Sequence, residues 1–172
     1  MAKTVSPRNR GTSYRGTELG KTVRLIPFTL GGEVFDIDIM VVRQIIPYEG
    51  ATPVPGAPSF IEGIIVYRNE VVPLIDLARR LVPTAGDAPA APLVLVATTD
   101  SGTVAFKVDD VRRIVTADTD SFLPAPDLVK GIRGDYLVGV LPQGDDLHLL
   151  LDVENVLTAD EKEELRGSNL QK

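Results

Sequence analysis

Three short segments recur in the same order in the two halves of this 172-residue chain, and that recurrence is the strongest constraint on its fold. Val42-Arg43-Gln44-Ile45-Ile46 returns as Val111-Arg112-Arg113-Ile114-Val115. Phe60-Ile61-Glu62-Gly63-Ile64 returns as Leu128-Val129-Lys130-Gly131-Ile132. Val71-Val72-Pro73-Leu74-Ile75-Asp76 returns as Leu147-His148-Leu149-Leu150-Leu151-Asp152. An ordered set of this kind implies two lobes built on one plan.

The recurring pieces are strand-like. Ile26, Phe28 and Leu30 alternate with other residues up to Gly31-Gly32, which reads as a hairpin turn. Phe35, Ile37 and Ile39 then alternate with Asp36 and Asp38, the period of a half-buried strand with the two carboxylates on its wet face. Residues 40–46 suggest a short helical turn running into a third strand. Ala51 to Pro58 is a proline-rich loop, and Ser59 with Glu62 has capping-box spacing, which suggests one helical turn. Residues 64–67 and 71–75 are strong β runs joined at Arg68-Asn69-Glu70, where Asn69 suits a positive φ. Residues 76–81 suit a short helix. In the second half, 93–98 and 104–108 read as strands around an Asp100-Ser101-Gly102 turn. The expected division is a disordered basic tail over 1–20, one lobe over 22–82, a Pro/Ala/Gly linker over 83–92, a second lobe over 93–152, a helix over 153–165 and a flexible tail over 166–172. Many short strands with turn signals between them predict an all-β fold of small barrels or sandwiches with minor helix. Barrel closure also removes the exposed edges such strands would leave.

Composition narrows the chemistry. The hydrophobic fraction of 44% is enough for a core. The absence of Cys excludes disulfides and thiolate metal sites, and a lone His excludes the usual zinc sets. The net charge of −6 and a pI near 4.8 argue against a nucleic-acid partner. Residues 1–20 alone are basic, net +3, against −9 for the remainder. No apolar run approaches a bilayer's thickness, so the expectation is a cytoplasmic protein with no direct membrane insertion.

Searching for a catalytic set yields none. His148 is expected on a strand face toward solvent or a lobe boundary, without the carboxylate or nucleophile that general-base chemistry needs. The Asp pairs 36/38, 109/110, 118/120 and 145/146 lack EF-hand spacing and read as strand-face and turn residues. Gly131-Ile132-Arg133-Gly134 has the GxxG form of a nucleic-acid clamp but stands alone in an acidic chain. The expectation is no enzyme, no catalytic residue, no metal and no cofactor.

From about Val23 to Leu165 the chain resembles the CheW-like coupling proteins of bacterial chemotaxis. The resemblance is carried by Phe28-Thr29-Leu30-Gly31-Gly32-Glu33, Phe35-Asp36-Ile37-Asp38-Ile39, Val42 to Ile46, Thr52-Pro53-Val54-Pro55 leading to Pro58-Ser59-Phe60-Ile61-Glu62-Gly63, Tyr67-Arg68-Asn69-Glu70 running through Leu77, Tyr136-Leu137-Val138-Gly139, and Leu149 to Asp152. It implies two SH3-like five-stranded barrels plus a C-terminal helix. It also implies an adaptor bridging the histidine kinase CheA, through its regulatory domain, to the cytoplasmic hairpin tip of a chemoreceptor at membrane-bound arrays. Other CheW-like chains are further partners it suggests.

Arg68 matches the Arg of the family's Leu-Arg-Gly turn, and Asn69 stands where Gly is usual. Val42, Gln44, Ile45 and Ile46 match a receptor-contact segment. Gln44 replaces a frequent Glu there, and strand alternation lets only one of Ile45 and Ile46 face outward. Pro124 to Leu128, with Asp127 and Leu128 at its end, resembles a loop used for a second contact in kinase–coupler rings. The partner-binding set implied is therefore Arg68, Asn69, Val42, Gln44, Ile46, Asp127 and Leu128. Two alternatives stay open: a CheW-like scaffold for a non-flagellar pathway, and a small-molecule-binding double barrel, which would need a polar pocket with convergent titratable groups.

Overall fold

In the computed structural model, residues 22–83, 86 and 89–170 are described, with side chains up to Leu165. The basic tail expected over 1–20, parts of the linker and the last two residues lie outside them. The chain runs β1 (Thr22–Leu30), β2 (Glu33–Asp38), β3 (Val42–Pro47), β4 (Ile61–Tyr67), β5 (Glu70–Asp76), α1 (Leu77–Leu81), β6 (Leu93–Thr99), β7 (Gly102–Val108), β8 (Asp110–Val111), β9 (Val115–Asp118), β10 (Leu128–Val129), β11 (Ile132–Arg133), β12 (Leu137–Gln143), β13 (Asp146–Leu151) and α2 (Ala159–Leu170).

These strands form two SH3-like barrels, as the sequence predicts, but not the two lobes that sequence order predicts. One sheet has the order β3-β6-β7-β5-β4, and the other β12-β13-β2-β1-β8, with β9 also paired to β1. The hairpin β1–β2 therefore belongs with the C-terminal strands, and β6–β7 with β3 to β5. The division into 22–82 and 93–152 is corrected accordingly. Each hairpin leads directly into the edge strand of the barrel it does not join. β2 passes to β3 through the 3-10 turn Ile39–Val41, and β7 passes to β8 through Asp109. Sequence order misleads here because both hairpins are apolar on two faces and either could fill either barrel by pattern alone.

The registers show how close the internal likeness is. Leu74 pairs with Ala105 across the parallel β5–β7 contact, as Leu150 pairs with Asp36 across β13–β2. Both barrels close through a loop residue on the last strand. Thr52 exchanges two backbone hydrogen bonds with Ile64 (2.9 and 2.8 Å), and Leu123 exchanges two with Val140 (both 2.8 Å). At each closure the strand carries a bulge, between Ile61 and Gly63 and between Leu137 and Gly139. A Cβ on Gly63 would overlap the Thr52 carbonyl, and one on Gly139 would lie 2.9 Å from the Leu123 carbonyl oxygen. Glycine is thus required where a second backbone approaches a bulge. Gly139, not Gly131, is the counterpart of Gly63. The echo of residues 60–64 in 128–132 does not fall on equivalent strands: 128–133 fold into the small β10–β11 hairpin, turning at Lys130-Gly131.

Three apolar clusters fill the molecule. Tyr67, Val72, Leu74, Val94, Val96 and Ala105 fill the barrel of β3 to β7. Val23, Leu25, Ala117, Leu141 and Leu150 fill the other. A larger cluster that includes Phe28, Phe35, Ile37, Ile75, Leu95 and Phe106 lies between them. Strands with one face toward a barrel interior and the other toward this shared core are buried on both sides.

That double burial overturns two expectations. Asp36 is not on a wet face and His148 does not face solvent; both are buried, and His148 Nδ1 sits 2.9 and 3.1 Å from the two Asp36 carboxylate oxygens. Ser59 and Glu62 do not form a helical turn either. Ser59-Phe60 is a turn and Glu62 lies in β4. The C-terminal helix begins later than expected, because Asp152 holds a turn through Glu154 N and Asn155 Nδ2. Thr158 then caps the helix in a reciprocal box with Glu161. Its backbone remains helical through Leu170, beyond the expected boundary at 165.

Arg80 on α1 ties the parts together. Its guanidinium lies over the rings of Phe60 (4.2 Å) and Tyr136 (5.3 Å), hydrogen-bonds the Val156 carbonyl (3.0 Å) and pairs with Glu161 (2.7 Å). Phe60 and Tyr136 occupy the same place in their barrels, since their carbonyls accept from Asp76 N and Asp152 N. One cation therefore bridges equivalent aromatic rings across the lobe boundary.

Candidate partner-docking site

The β4–β5 hairpin turns on two residues, Arg68 (φ 48°) and Asn69 (φ 64°). Two successive positive φ angles make a type I′ turn, whose right-handed twist matches the flanking strands. Asn accepts this conformation easily. Arg does not, at a cost of about 1–2 kcal/mol, and a strained cation at a hairpin tip points to a role outside folding.

A cluster forms beneath the tip. The guanidinium groups of Arg68 (5.2 Å) and Arg43 (5.5 Å) both lie over the ring of Tyr67, itself buried. The Tyr67 hydroxyl donates to Gln44 Oε1 (2.8 Å), and Arg68 donates to the same oxygen (3.2 Å). Arg43 donates to Thr103 Oγ1 (3.0 Å) and lies 3.9 Å from the Glu70 carboxylate. Among the described residues no carboxylate pairs with Arg68; its anchor is a neutral amide oxygen. Such a guanidinium is oriented by its neighbours while its charge stays open to a bidentate anionic partner.

The structure thus brings Arg68, Asn69 and Gln44 together. Val42 is half-buried against the shared core, and Ile46 is half-buried against the interior of its own barrel. Ile45 is the outward residue of the pair, 39% exposed, and Val66 beside the tip is 75% exposed. Asp127 and Leu128 lie elsewhere, on the β10–β11 hairpin. Its Lys130 pairs with Glu33 of the other barrel (2.9 Å), and the Asp127 carbonyl accepts from Gly134 N (2.7 Å). Leu128 is 62% exposed. Sequence reasoning missed Arg43 and Tyr67. The signal was present in the Tyr-Arg pair before the turn, but residues 24 positions apart meet only once the barrel closes.

A second polar group lies on the same barrel. Glu62 accepts from the Tyr48 hydroxyl and pairs with Lys107 Nζ (3.4 Å), which also approaches Asp76 (3.8 Å). Burial pushes the Glu62 carboxyl up, but the Tyr48 hydrogen bond and the Lys107 ammonium together outweigh it and hold it below its ordinary value. The hydrogen bond to Glu62, with burial second, raises the Tyr48 hydroxyl to about 12. In the other barrel, burial outweighs the neighbouring His148 and raises the Asp36 carboxyl.

Among the described residues no three His, Asp or Glu side chains converge as metal ligands. A cavity of about 20 Å³, room for roughly one water, lies under the C-terminal segment. It is lined mainly by Ile75, Val104, Phe106, Val153, Val156 and Leu157. No described helix is long and apolar enough to cross a membrane.

The family model of the CheW-like domain matches residues 24–161. The chain is 32% identical over 139 residues to a chemotaxis protein CheW of Rhizobium meliloti, covering 81% of this chain and 90% of that one. It is 29% identical over 147 residues to the CheW of Treponema pallidum, covering 83% and 86%. The crystal structure of the scaffolding protein TtCheW from Thermoanaerobacter tengcongensis superposes with a TM-score of 0.77 at 22% identity, covering 89% of this chain and 97% of that one, and so shares the fold. A domain match over most of the chain, relatives matched along nearly their whole length and a common two-barrel architecture agree: the chain belongs to the CheW-like family of chemotaxis proteins.

Proposed function

We propose that this protein is a chemosensory adaptor, without catalysis of its own, that couples a chemoreceptor's cytoplasmic hairpin tip to the regulatory domain of the histidine kinase CheA. The observation that carries this reading is the Arg68 tip, a cation held in a strained turn by Gln44 and Tyr67 with no carboxylate partner among the described residues. Its hydrogen-bond geometry suits a carboxylate on a partner. Arg43, Asn69, Ile45 and Val66 surround it, while Val42 and Ile46 fix the strand from below. Asp127 and exposed Leu128 offer a separate contact suited to a second chain in a ring. Coupling in such an adaptor is a difference in binding free energy between signalling states. The test is calorimetric titration of the full chain with the kinase regulatory domain and with a receptor hairpin fragment. Saturable binding to both supports the reading; binding to neither overturns it.

A further inference from the structure

The two hairpins β1–β2 and β6–β7 occupy equivalent places in the two barrels, yet each is followed in sequence by the edge strand of the opposite barrel. Some property of the hairpins must decide which barrel each one enters. Apolar pattern cannot, because Phe35 and Ile37 stand where Val104 and Phe106 stand, and all four face the shared core. We propose that two buried or half-buried polar contacts sort the hairpins: Asp36 with His148 in one barrel, and Lys107 with Glu62 and Asp76 in the other.

The argument rests on positional equivalence. Asp36 aligns with Ala105 and His148 with Val72, from the registers Leu150–Asp36, Leu74–Ala105, Leu141–His148 and Ile65–Val72. In the observed arrangement Asp36 meets His148 at 2.9 Å, and Ala105 and Val72 pack in an apolar interior. With the hairpins exchanged, Asp36 would be buried against Val72 and His148 against Ala105, each without a partner. Burying either group unpaired is strongly unfavourable. The second contact acts in the same sense. Lys107 aligns with Asp38 and pairs with Glu62 and Asp76 at 3.4 and 3.8 Å. Exchange would place Asp38 beside those two carboxylates, a like-charge contact. In the right arrangement Lys107 meets two carboxylates, Glu62 and Asp76; after exchange it would meet only Asp152, because Val138 stands where Glu62 does, while Asp38 would meet both Glu62 and Asp76. The outcome is an interlocked molecule in which neither barrel closes without a hairpin from the other half of the chain. That interlocking holds the two docking faces in a fixed relation.

The test moves the polar code from one hairpin to the other, with Asp36→Ala, Asp38→Lys, Ala105→Asp and Lys107→Asp in the full chain. Cross-strand nuclear Overhauser contacts report the pairing. Contacts between β2 and β5 and between β7 and β13, within a chain or between two chains, are the expected result. Retention of only the native β2–β13 and β7–β5 contacts would overturn the proposal. Should this variant fail to fold, Asp36→Ala, Asp38→Lys and His148→Val together decide. These changes give both hairpins the same residues at the two sorting positions and so remove the code. A second set of resonances carrying exchanged-hairpin contacts after refolding supports sorting; a single native set contradicts it.

Discussion

The two barrels share strand order, closure and bulges, but they spend their polar residues differently. The barrel of β3 to β7 keeps Val72 and Ala105 inside and places its charges at the rim, on Glu62, Lys107 and the Arg68 tip. The other barrel buries a carboxylate and an imidazole at the equivalent interior positions, and its equivalent tip is Gly144-Asp145. One contact survives at both tips: Arg43 with Glu70 (3.9 Å) has its counterpart in Arg112 with Asp146 (3.5 Å). An ion pair retained at both tips belongs to the architecture, whereas Arg68, replaced by Gly144, is free to serve recognition. Equivalent positions in a repeated fold thus separate what the fold needs from what one lobe has added.

The largest effect expected from this contrast concerns the buried pair. Replacing His148 alone with Ala leaves Asp36 buried without its partner, and should destabilise the protein by about 3–5 kcal/mol in urea unfolding. Adding Asp36→Ala and changing His148 to Val instead, as in the other barrel, should recover stability to within about 2 kcal/mol of the parent. Equal losses in the single and the paired variants would break the equivalence.

The closures give the next prediction. Gly63→Ala drives a methyl into the Thr52 carbonyl and should cost about 2–4 kcal/mol. Gly139→Ala meets a 2.9 Å contact at the same place in the other barrel and should cost about 1–2 kcal/mol. A reversed order would mean that the two closures differ in some way other than backbone approach.

The two polar groups should also titrate in opposite senses. Glu62 lies below its ordinary value in the folded protein, so its contribution is present above pH 4.5 and lost as pH falls through the folded value. Asp36 is raised, so the unfolded chain releases its proton first. Stability then declines as pH rises from 3.8 through the folded value. Glu62→Gln should flatten the acid limb of a stability–pH curve, and Asp36→Asn should steepen the rise of stability with pH above 3.8. The same slope change in both variants would contradict the assignment.

The smallest expected effect is on stability at the tip. Arg68→Asn relieves about 1 kcal/mol of turn strain and gives up about 0.5–1 kcal/mol of ring contact with Tyr67. Thermal unfolding should therefore shift little, while partner binding weakens.

Much of this architecture is legible in the sequence. Alternating apolar residues, Gly31-Gly32 and the Arg68-Asn69 turn mark the hairpins, and the echoes of 42–46 and 71–76 fall on equivalent strands. Hairpin exchange is not legible, because local pattern specifies a hairpin but not its acceptor. Asp36 reads as a wet-face residue since period two assumes one solvent face, and a barrel packed on a second barrel has none. The tip was legible in part. Turn chemistry and the family resemblance mark Arg68 and Asn69, but the contact of Arg43 with the Tyr67 ring arises only from closure. Alternation leaves open which of Ile45 and Ile46 faces outward, and the resemblance points to Ile46; the bulge between Val42 and Gln44 sets the phase that turns Ile45 outward instead.

The most direct test of the account is a paired titration against the kinase regulatory domain and a receptor hairpin fragment, using Arg68→Glu and, at the equivalent tip, Asp145→Lys, with circular dichroism confirming that both variants are folded. Arg68→Glu should weaken binding of at least one partner by roughly tenfold or more, the loss of one charge-assisted hydrogen bond, while Asp145→Lys leaves both affinities nearly unchanged. Undiminished binding by Arg68→Glu, or equal losses from both tips, would contradict the assignment of receptor or kinase recognition to the Arg68 tip.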